Sequence, residues 1–147
     1  MLEYLFFRTG GYFEGERVLI IRNHDGMLSL DHFLFLRGNG ASIPHCHAAW
    51  TKQRSKHFIS NFAALRCEEW EDQYCDNSIL DGTQWELRYK LEGQGERRIS
   101  GSNAYPENWG SFLSWISDAV RKLPVKETVD ADKALDAILK LTSAAKR

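Results

Sequence analysis

The chain has 147 residues, and its 19 Lys and Arg side chains nearly balance its 20 Asp and Glu, for a formal net charge of -1. Hydrophobic residues make up 43% and charged residues 27%, the proportions of an ordinary globular protein. These values exclude global disorder and a long coiled coil. They also predict no nucleic-acid partner, because nucleic-acid-binding domains usually carry a basic stripe.

The cysteines and the apolar segments predict a cellular location. The three cysteines have irregular spacing, which indicates free thiols rather than a disulfide framework. The first residues lack the basic segment of a secretory signal. No apolar run approaches the ~20 residues that a membrane-spanning helix needs. We therefore predict a cytoplasmic protein with no membrane association.

Three early segments rich in apolar and β-branched residues predict an antiparallel meander, and they cover residues 2–8, 17–22 and 27–36. Asp25-Gly26 lies between the second and third segments and predicts a two-residue hairpin turn, because Gly tolerates positive φ. The alternation of the third segment slips at Asp31-His32, which predicts a β-bulge.

The next part of the chain predicts a long loop and then a helix. Residues 37–55 combine glycines, a proline and many polar side chains, a composition typical of a functional loop. From Ser55, a candidate N-cap, apolar residues recur at helical spacing. This pattern predicts a helix that fades near Trp70.

The second half predicts two more strands and two more helices. Residues 85–92 alternate apolar and charged side chains, and residues 96–100 form a weaker, polar strand. Pro106 precedes an amphipathic helix that ends before Pro124. A final amphipathic helix begins near Asp130 and ends in basic residues.

The resulting element order, βββ-α-ββ-αα, predicts an α+β fold. Strand hairpins followed by helices are typical of an antiparallel sheet with the helices packed on one face. We expect a single α+β domain over residues 1–123. An amphipathic C-terminal helix is appended to it over residues 124–147.

His45-Cys46-His47 carries the most distinctive chemistry in the predicted loop. In an extended segment the two imidazoles point to one side and the Cys46 thiol to the other. Two histidines are weak candidates for a metal site, because zinc needs three or four ligands. A polar loop without a metal is the favoured interpretation, so we predict no cofactor. The alternative is a small metal-binding or hydrolytic enzyme centred on this triplet.

Two motifs carry a resemblance to known proteins. Residues 81–85 read D-G-T-Q-W, and residues 101–109 read G-S-N-A-Y-P-E-N-W. With the hairpin between them, they resemble a group of small uncharacterised bacterial proteins that share D-G-T-x-W and G-S-N-A-Y-P-x-N-[WF]. The resemblance spans roughly residues 66–123. It implies a bacterial α+β domain, and it implies no activity and no catalytic residue.

The residues favour a binding protein over an enzyme. No nucleophile or phosphate-binding motif is present, so we expect a non-enzymatic protein of bacterial or phage origin that binds a protein partner, for example an immunity, defence or counter-defence factor. The start of the helix after Pro106 is also a candidate site for an anionic ligand. Several aromatic residues are candidates for a binding patch, with core or half-buried packing favoured for most of them. Together with the polar segment, they give the candidate partner-binding residues Trp50, Trp70, Tyr74, Ser102, Asn103 and Tyr105.

Overall fold

The computed structural model describes residues 1–11, 15–35, 42–78 and 82–145. Within these residues the strands are β1 (Leu2–Gly11), β2 (Gly15–His24), β3 (Met27–Phe35), β4 (Ile43–Ala49), β5 (Gln73–Cys75), β6 (Thr83–Leu91), β7 (Arg97–Ser102) and β8 (Val125–Val129). The helices are α1 (Lys52–Ala64), α2 (Trp109–Val120) and α3 (Ala131–Ala145), with a short 3-10 helix at Cys67–Glu69.

The described strands form one 8-stranded sheet in the order β5-β7-β6-β1-β2-β3-β4-β8. Every neighbouring pair is antiparallel except β5 and β7, which run parallel. The predicted α+β class with a mainly antiparallel sheet is therefore confirmed. The predicted order βββ-α-ββ-αα is incomplete, because it lacks β4, β5 and β8.

The central hairpin follows directly from its turn residues. Asp25 and Gly26 have φ values of 54° and 90°, and they join β2 to β3 as predicted. The two strands then pair from His24–Met27 to Glu16–Phe35 with no register shift. The bulge predicted at Asp31-His32 is absent, because these neighbours continue the regular alternation and point to opposite faces of the sheet.

The helices lie on both faces of the sheet, so the prediction of one helical face is wrong. The larger core joins Phe58 of α1 and Phe112 of α2 to alternate strand positions that include Leu5, Phe7, Leu19 and Ile21. The smaller core joins Ala134 of α3 to the positions between them, which include Tyr4, Phe6, Val18 and Ile20. Strand β8 forms the edge beside β4, and α3 follows it onto the second face.

The predicted loop over residues 37–55 also needs correction. Its second half contains β4, which pairs with β3 on one side and β8 on the other, and α1 begins at Lys52. Thr51 is the N-cap of α1, accepting a hydrogen bond from the Arg54 amide at 3.3 Å. Ser55 lies inside the helix, fully buried, and accepts from the Leu28 amide instead. The segment 36–41 lies outside the described residues.

The C-terminal segment contacts the sheet through the pairing of β8 and through the packing of α3. Strand β8 pairs with β4 from Ile43–Val129 to Cys46–Val125. Asp130 caps α3 by accepting from the Lys133 amide at 2.8 Å, as predicted. Ala134 of α3 is fully buried against the sheet. The division of the chain into 1–123 and 124–147 stays a prediction.

Candidate functional site

A cavity of about 380 Å³ lies between helix α2 and the sheet. Its apolar lining comes from β1, β2 and α2, and comprises Phe7, Leu19, Trp109, Leu113, Ile116 and Val120. Its polar lining comprises Thr9, Arg17, His32, Thr83, Tyr105 and Ser117. Apolar and polar residues contribute equally to the lining, and the volume lies within the ~300–1,000 Å³ of known small-molecule sites.

His32 is the most buried polar side chain of this cavity. It is 5% exposed and makes no side-chain hydrogen bond with any residue that the structure describes. Burial, together with the positive charge of Arg17, lowers the pKa of His32 to about 4 from its ordinary 6.5. The imidazole is therefore neutral near pH 7, with one N–H donor and one acceptor nitrogen. Within the described residues its ring nitrogens are not among the fully buried side-chain atoms that lack a partner, so a molecule in the cavity can reach them.

Arg17 supplies the positive charge at the cavity. It lies on β2, diagonally beside His32 on the same face of the sheet, and its side chain is exposed. It forms no ion pair with any described residue. No acidic side chain lines the cavity in the described part of the chain. The electrostatic potential of the site is therefore positive at its rim.

The segment before α2 positions the aromatic wall of the cavity. The Trp85 indole donates a hydrogen bond to the Ala104 carbonyl at 3.0 Å and lies against Gly101. Asn108 accepts from the Trp70 indole and donates to the Leu65 carbonyl, both at 2.8 Å. These bonds fix the start of the helix, which begins at Trp109 rather than directly after Pro106.

Of the six predicted partner-binding residues, Tyr105 is exposed, whereas Trp50 and Trp70 are buried. Tyr105 is 41% exposed at the cavity, with its ring 5.2 Å from the Trp109 ring. Trp50 and Trp70 are 6% and 7% exposed and lie in the core, because α1 and α2 close over them. The structure therefore does not assemble the predicted aromatic surface. Arg54 covers the outer side of Trp50 at 3.9 Å.

The other three predicted residues are half-buried and shape local structure. The Tyr74 hydroxyl accepts from the Glu71 amide at 2.9 Å, and Ser102 accepts from the Gln84 side chain at 2.7 Å. Asn103 has a φ of 59°, and its amide donates to the Thr83 carbonyl. Whether these residues contact a partner stays a prediction.

His45 and His47 point to the same side of β4, as predicted, and converge on one buried carboxylate. His45 Nε2 and His47 Nδ1 lie 2.8 and 2.9 Å from the same oxygen, Oδ1 of Asp31. Asp31 Oδ2 lies 3.7 Å from the Arg22 guanidinium. Since both imidazoles direct a ring nitrogen at Asp31, these nitrogens do not converge on a free point. Among the described residues, no group of His, Cys, Asp and Glu side chains is arranged to hold a metal ion.

Cys46 faces the opposite side of β4 and lies opposite His32 on β3. No local sequence pattern links this pair, because the two residues are distant along the chain. Burial raises the pKa of the Cys46 thiol, so the thiolate needed for nucleophilic attack is disfavoured. The pair therefore contributes to the wall beside the cavity rather than forming an activated nucleophile.

Within the described residues, none of the helices combines the length and apolar character required to cross a bilayer. No protein-family model matches the chain, and no curated protein matches it. The resemblance to small bacterial proteins therefore stays an expectation that depends on residues 81–85 and 101–109.

Proposed function

We propose that the protein binds a small, largely apolar molecule in the cavity between α2 and the sheet. The observation that carries this proposal is His32, a buried side chain that makes no hydrogen bond with any described residue, in a cavity where half of the lining residues are apolar. A ligand with one polar atom near the imidazole satisfies this group, and its body covers the aromatic wall. Tyr105 at the rim, a predicted contact residue, supports the same site.

A fragment screen by ligand-observed NMR tests the proposal. Leu113 is 37% exposed and lines the cavity, so Leu113→Trp narrows the site with little effect on the core. Leu135 is 53% exposed on α3 and outside the cavity, so Leu135→Trp is the matched control. We expect small aromatic or aliphatic fragments to bind the wild type and the control saturably. Weaker binding to Leu113→Trp supports the site. Binding that Leu113→Trp leaves unchanged, or no binding at all, contradicts it.

The protein-binding function predicted from the sequence is a second candidate. It is favoured by Leu135 and Leu139, which lie one turn apart on α3 and are 53% and 65% exposed. Large exposed apolar side chains in a cluster are typical of interaction surfaces. A bacterial or phage origin, a cytoplasmic location and a lack of nucleic-acid partners remain parts of this proposal.

A comparison of two purifications from cell lysate tests the second candidate. The wild type is expected to recover a stoichiometric protein that the double variant Leu135→Glu/Leu139→Glu does not recover. The complex must then re-form from the two purified proteins. Equal recovery by both variants, or no complex after reconstitution, excludes this surface as the partner site.

A further inference from the structure

We propose that the ligand of the α2 cavity is a small carboxylic acid with an aromatic or aliphatic body. In this arrangement the carboxylate pairs with Arg17 and accepts a hydrogen bond from His32, while the body lies against Trp109 and Ile116. This inference depends on the proposed function, since it names the chemical class that the same cavity takes.

The charges around the cavity select an anion. Arg17 is the charged side chain among the described lining residues, and it has no carboxylate partner in the described part of the chain. A cationic ligand is repelled by Arg17 and finds no acidic group there. A carboxylate, in contrast, forms a charge-assisted hydrogen bond with a guanidinium, which is about twice as strong as a neutral one.

His32 suits the same head group. The titratable or charged groups that face it are Arg17 on β2, Cys46 on β4 and Tyr105 before α2. None of these side chains is a carboxylate, so within the described residues no carboxylate competes for the imidazole N–H. A ligand carboxylate that reaches both side chains therefore pairs with the Arg17 guanidinium and accepts the His32 N–H at the same time.

The remaining walls exclude a highly polar ligand. Six apolar side chains line the cavity, and besides Arg17 and His32 its polar groups are the hydroxyls of Thr9, Thr83, Tyr105 and Ser117. A sugar or a nucleotide needs many more hydrogen-bond partners than these positions offer, and unsatisfied polar groups would weaken its binding. An aryl or alkyl carboxylic acid has one polar end and one apolar end, as the cavity does.

A matched pair of probes tests the head group. 3-Phenylpropionate and 3-phenylpropan-1-ol share the same body, and only the first is an anion. Their affinities are measured at pH 7 by titration of the tryptophan fluorescence, because Trp109 lines the cavity. The wild type is expected to bind the carboxylate about ten-fold more tightly than the alcohol.

Two variants and one control locate the head group. Arg17→Gln is expected to weaken the carboxylate about ten-fold and to leave the alcohol within about two-fold. His32→Leu is expected to weaken the carboxylate and to leave the alcohol unchanged or tighter. Arg98→Gln makes the same chemical change as Arg17→Gln on the opposite face of the sheet, and it should alter neither affinity.

The outcomes separate this inference from the proposed function. If the wild type binds neither probe and no other fragment, the proposed function fails. If the alcohol binds as tightly as the carboxylate, or Arg17→Gln weakens both equally, the cavity binds ligands but the carboxylate assignment is wrong. Since Arg17 is exposed and unpaired among the described residues, Arg17→Gln is expected to fold. If His32→Leu does not fold, Arg17→Gln alone tests the carboxylate assignment.

Discussion

Asp31 and His32 are adjacent buried polar residues that the sheet separates onto its two faces. Asp31 is 3% exposed and lies on the face of the sheet that packs against α3. Its carboxylate is in hydrogen-bond contact with His45 and His47, and the Arg22 guanidinium lies nearby. His32 is buried to a similar degree on the other face, without such partners among the described residues. Burying a neutral imidazole avoids the larger desolvation cost of the imidazolium. The histidine is therefore held neutral, and folding becomes dependent on pH.

Lowering the pH is expected to destabilise the protein through His32. Its pKa is about 4 in the folded state against 6.5 for the free side chain, so the unfolded chain binds the proton more tightly. Stability from this group is complete above pH 6.5 and decreases as the pH falls toward 4. Between pH 7.5 and pH 5, the loss in free energy of unfolding is about 2 kcal/mol.

Urea unfolding at these two pH values measures the effect. His32→Gln is expected to remove the contribution of this residue, so its free energy of unfolding should decrease by about 2 kcal/mol less than that of the wild type. His57→Gln changes an exposed histidine of α1 and should behave as the wild type. An equal pH dependence in wild type and His32→Gln would show that the imidazole is not held neutral.

At the scale of elements, α2 depends on a close contact between two strands and the segment that precedes it. Gly101 of β7 lies directly beneath the Trp85 indole of β6, and a Cβ there would overlap the ring. The same indole binds the Ala104 carbonyl, so its position sets the start of the segment that leads to Tyr105 and Trp109. The aromatic wall of the cavity therefore depends on this glycine.

Gly101→Ala is expected to lower the free energy of unfolding by about 1–3 kcal/mol, because the Trp85 ring must move to admit the methyl group. Gly110→Ala is the matched control, because within the described residues no heavy atom lies within 4 Å of the added Cβ in α2. That variant should be as stable as the wild type or up to about 1 kcal/mol more stable, since Ala favours helix. The same loss in both variants, measured by urea unfolding, would contradict this packing.

The elements that sequence analysis predicted correctly have strong local signals. The β2–β3 turn is specified by Asp25-Gly26, and the alternation of β6 reports one buried and one exposed face. Strand β4 was missed because its polar residues His45 and His47 are buried and half-buried, and their partner Asp31 lies on another strand. Strand β8 was missed because it is a short edge strand whose side chains are mostly exposed, so it has no apolar alternation.

The candidate site was less predictable than the fold. Its lining comes from β1, β2, β3, β6 and α2, so residues distant in the sequence meet there. Tyr105 was selected from its place before a helix, and it does lie at the rim. Arg17 has no distinguishing local pattern. The slip in alternation at Asp31-His32 was the signal that pointed to this position, and it was interpreted as a bulge.

In the whole molecule, unfolding of the two cores can be followed by two different spectroscopic signals. All five tryptophans belong to or pack against the larger core, on the side of α1 and α2. Helix α3 has 15 residues and packs on the other face of the sheet. Tryptophan fluorescence therefore reports the unfolding of the larger core, while far-ultraviolet circular dichroism also reports the unfolding of α3.

The two signals are expected to give coincident urea transitions. Strand β8 continues the sheet and Ala134 is fully buried, so α3 should unfold together with the rest of the protein. If α3 behaves instead as an independent appendage, circular dichroism will show an early loss of helix before the fluorescence changes. Such a separation would support a boundary at residue 124 and contradict a single cooperative unit.

Intermolecular nuclear Overhauser effects between the protein and bound 3-phenylpropionate measure whether the α2 cavity holds a small ligand. We expect contacts from the phenyl protons to Trp109 and Ile116, and from the methylene protons beside the carboxylate to the His32 ring. Contacts to Leu135 and Leu139 on α3, or no contacts with the cavity at saturating ligand, would contradict binding in this cavity.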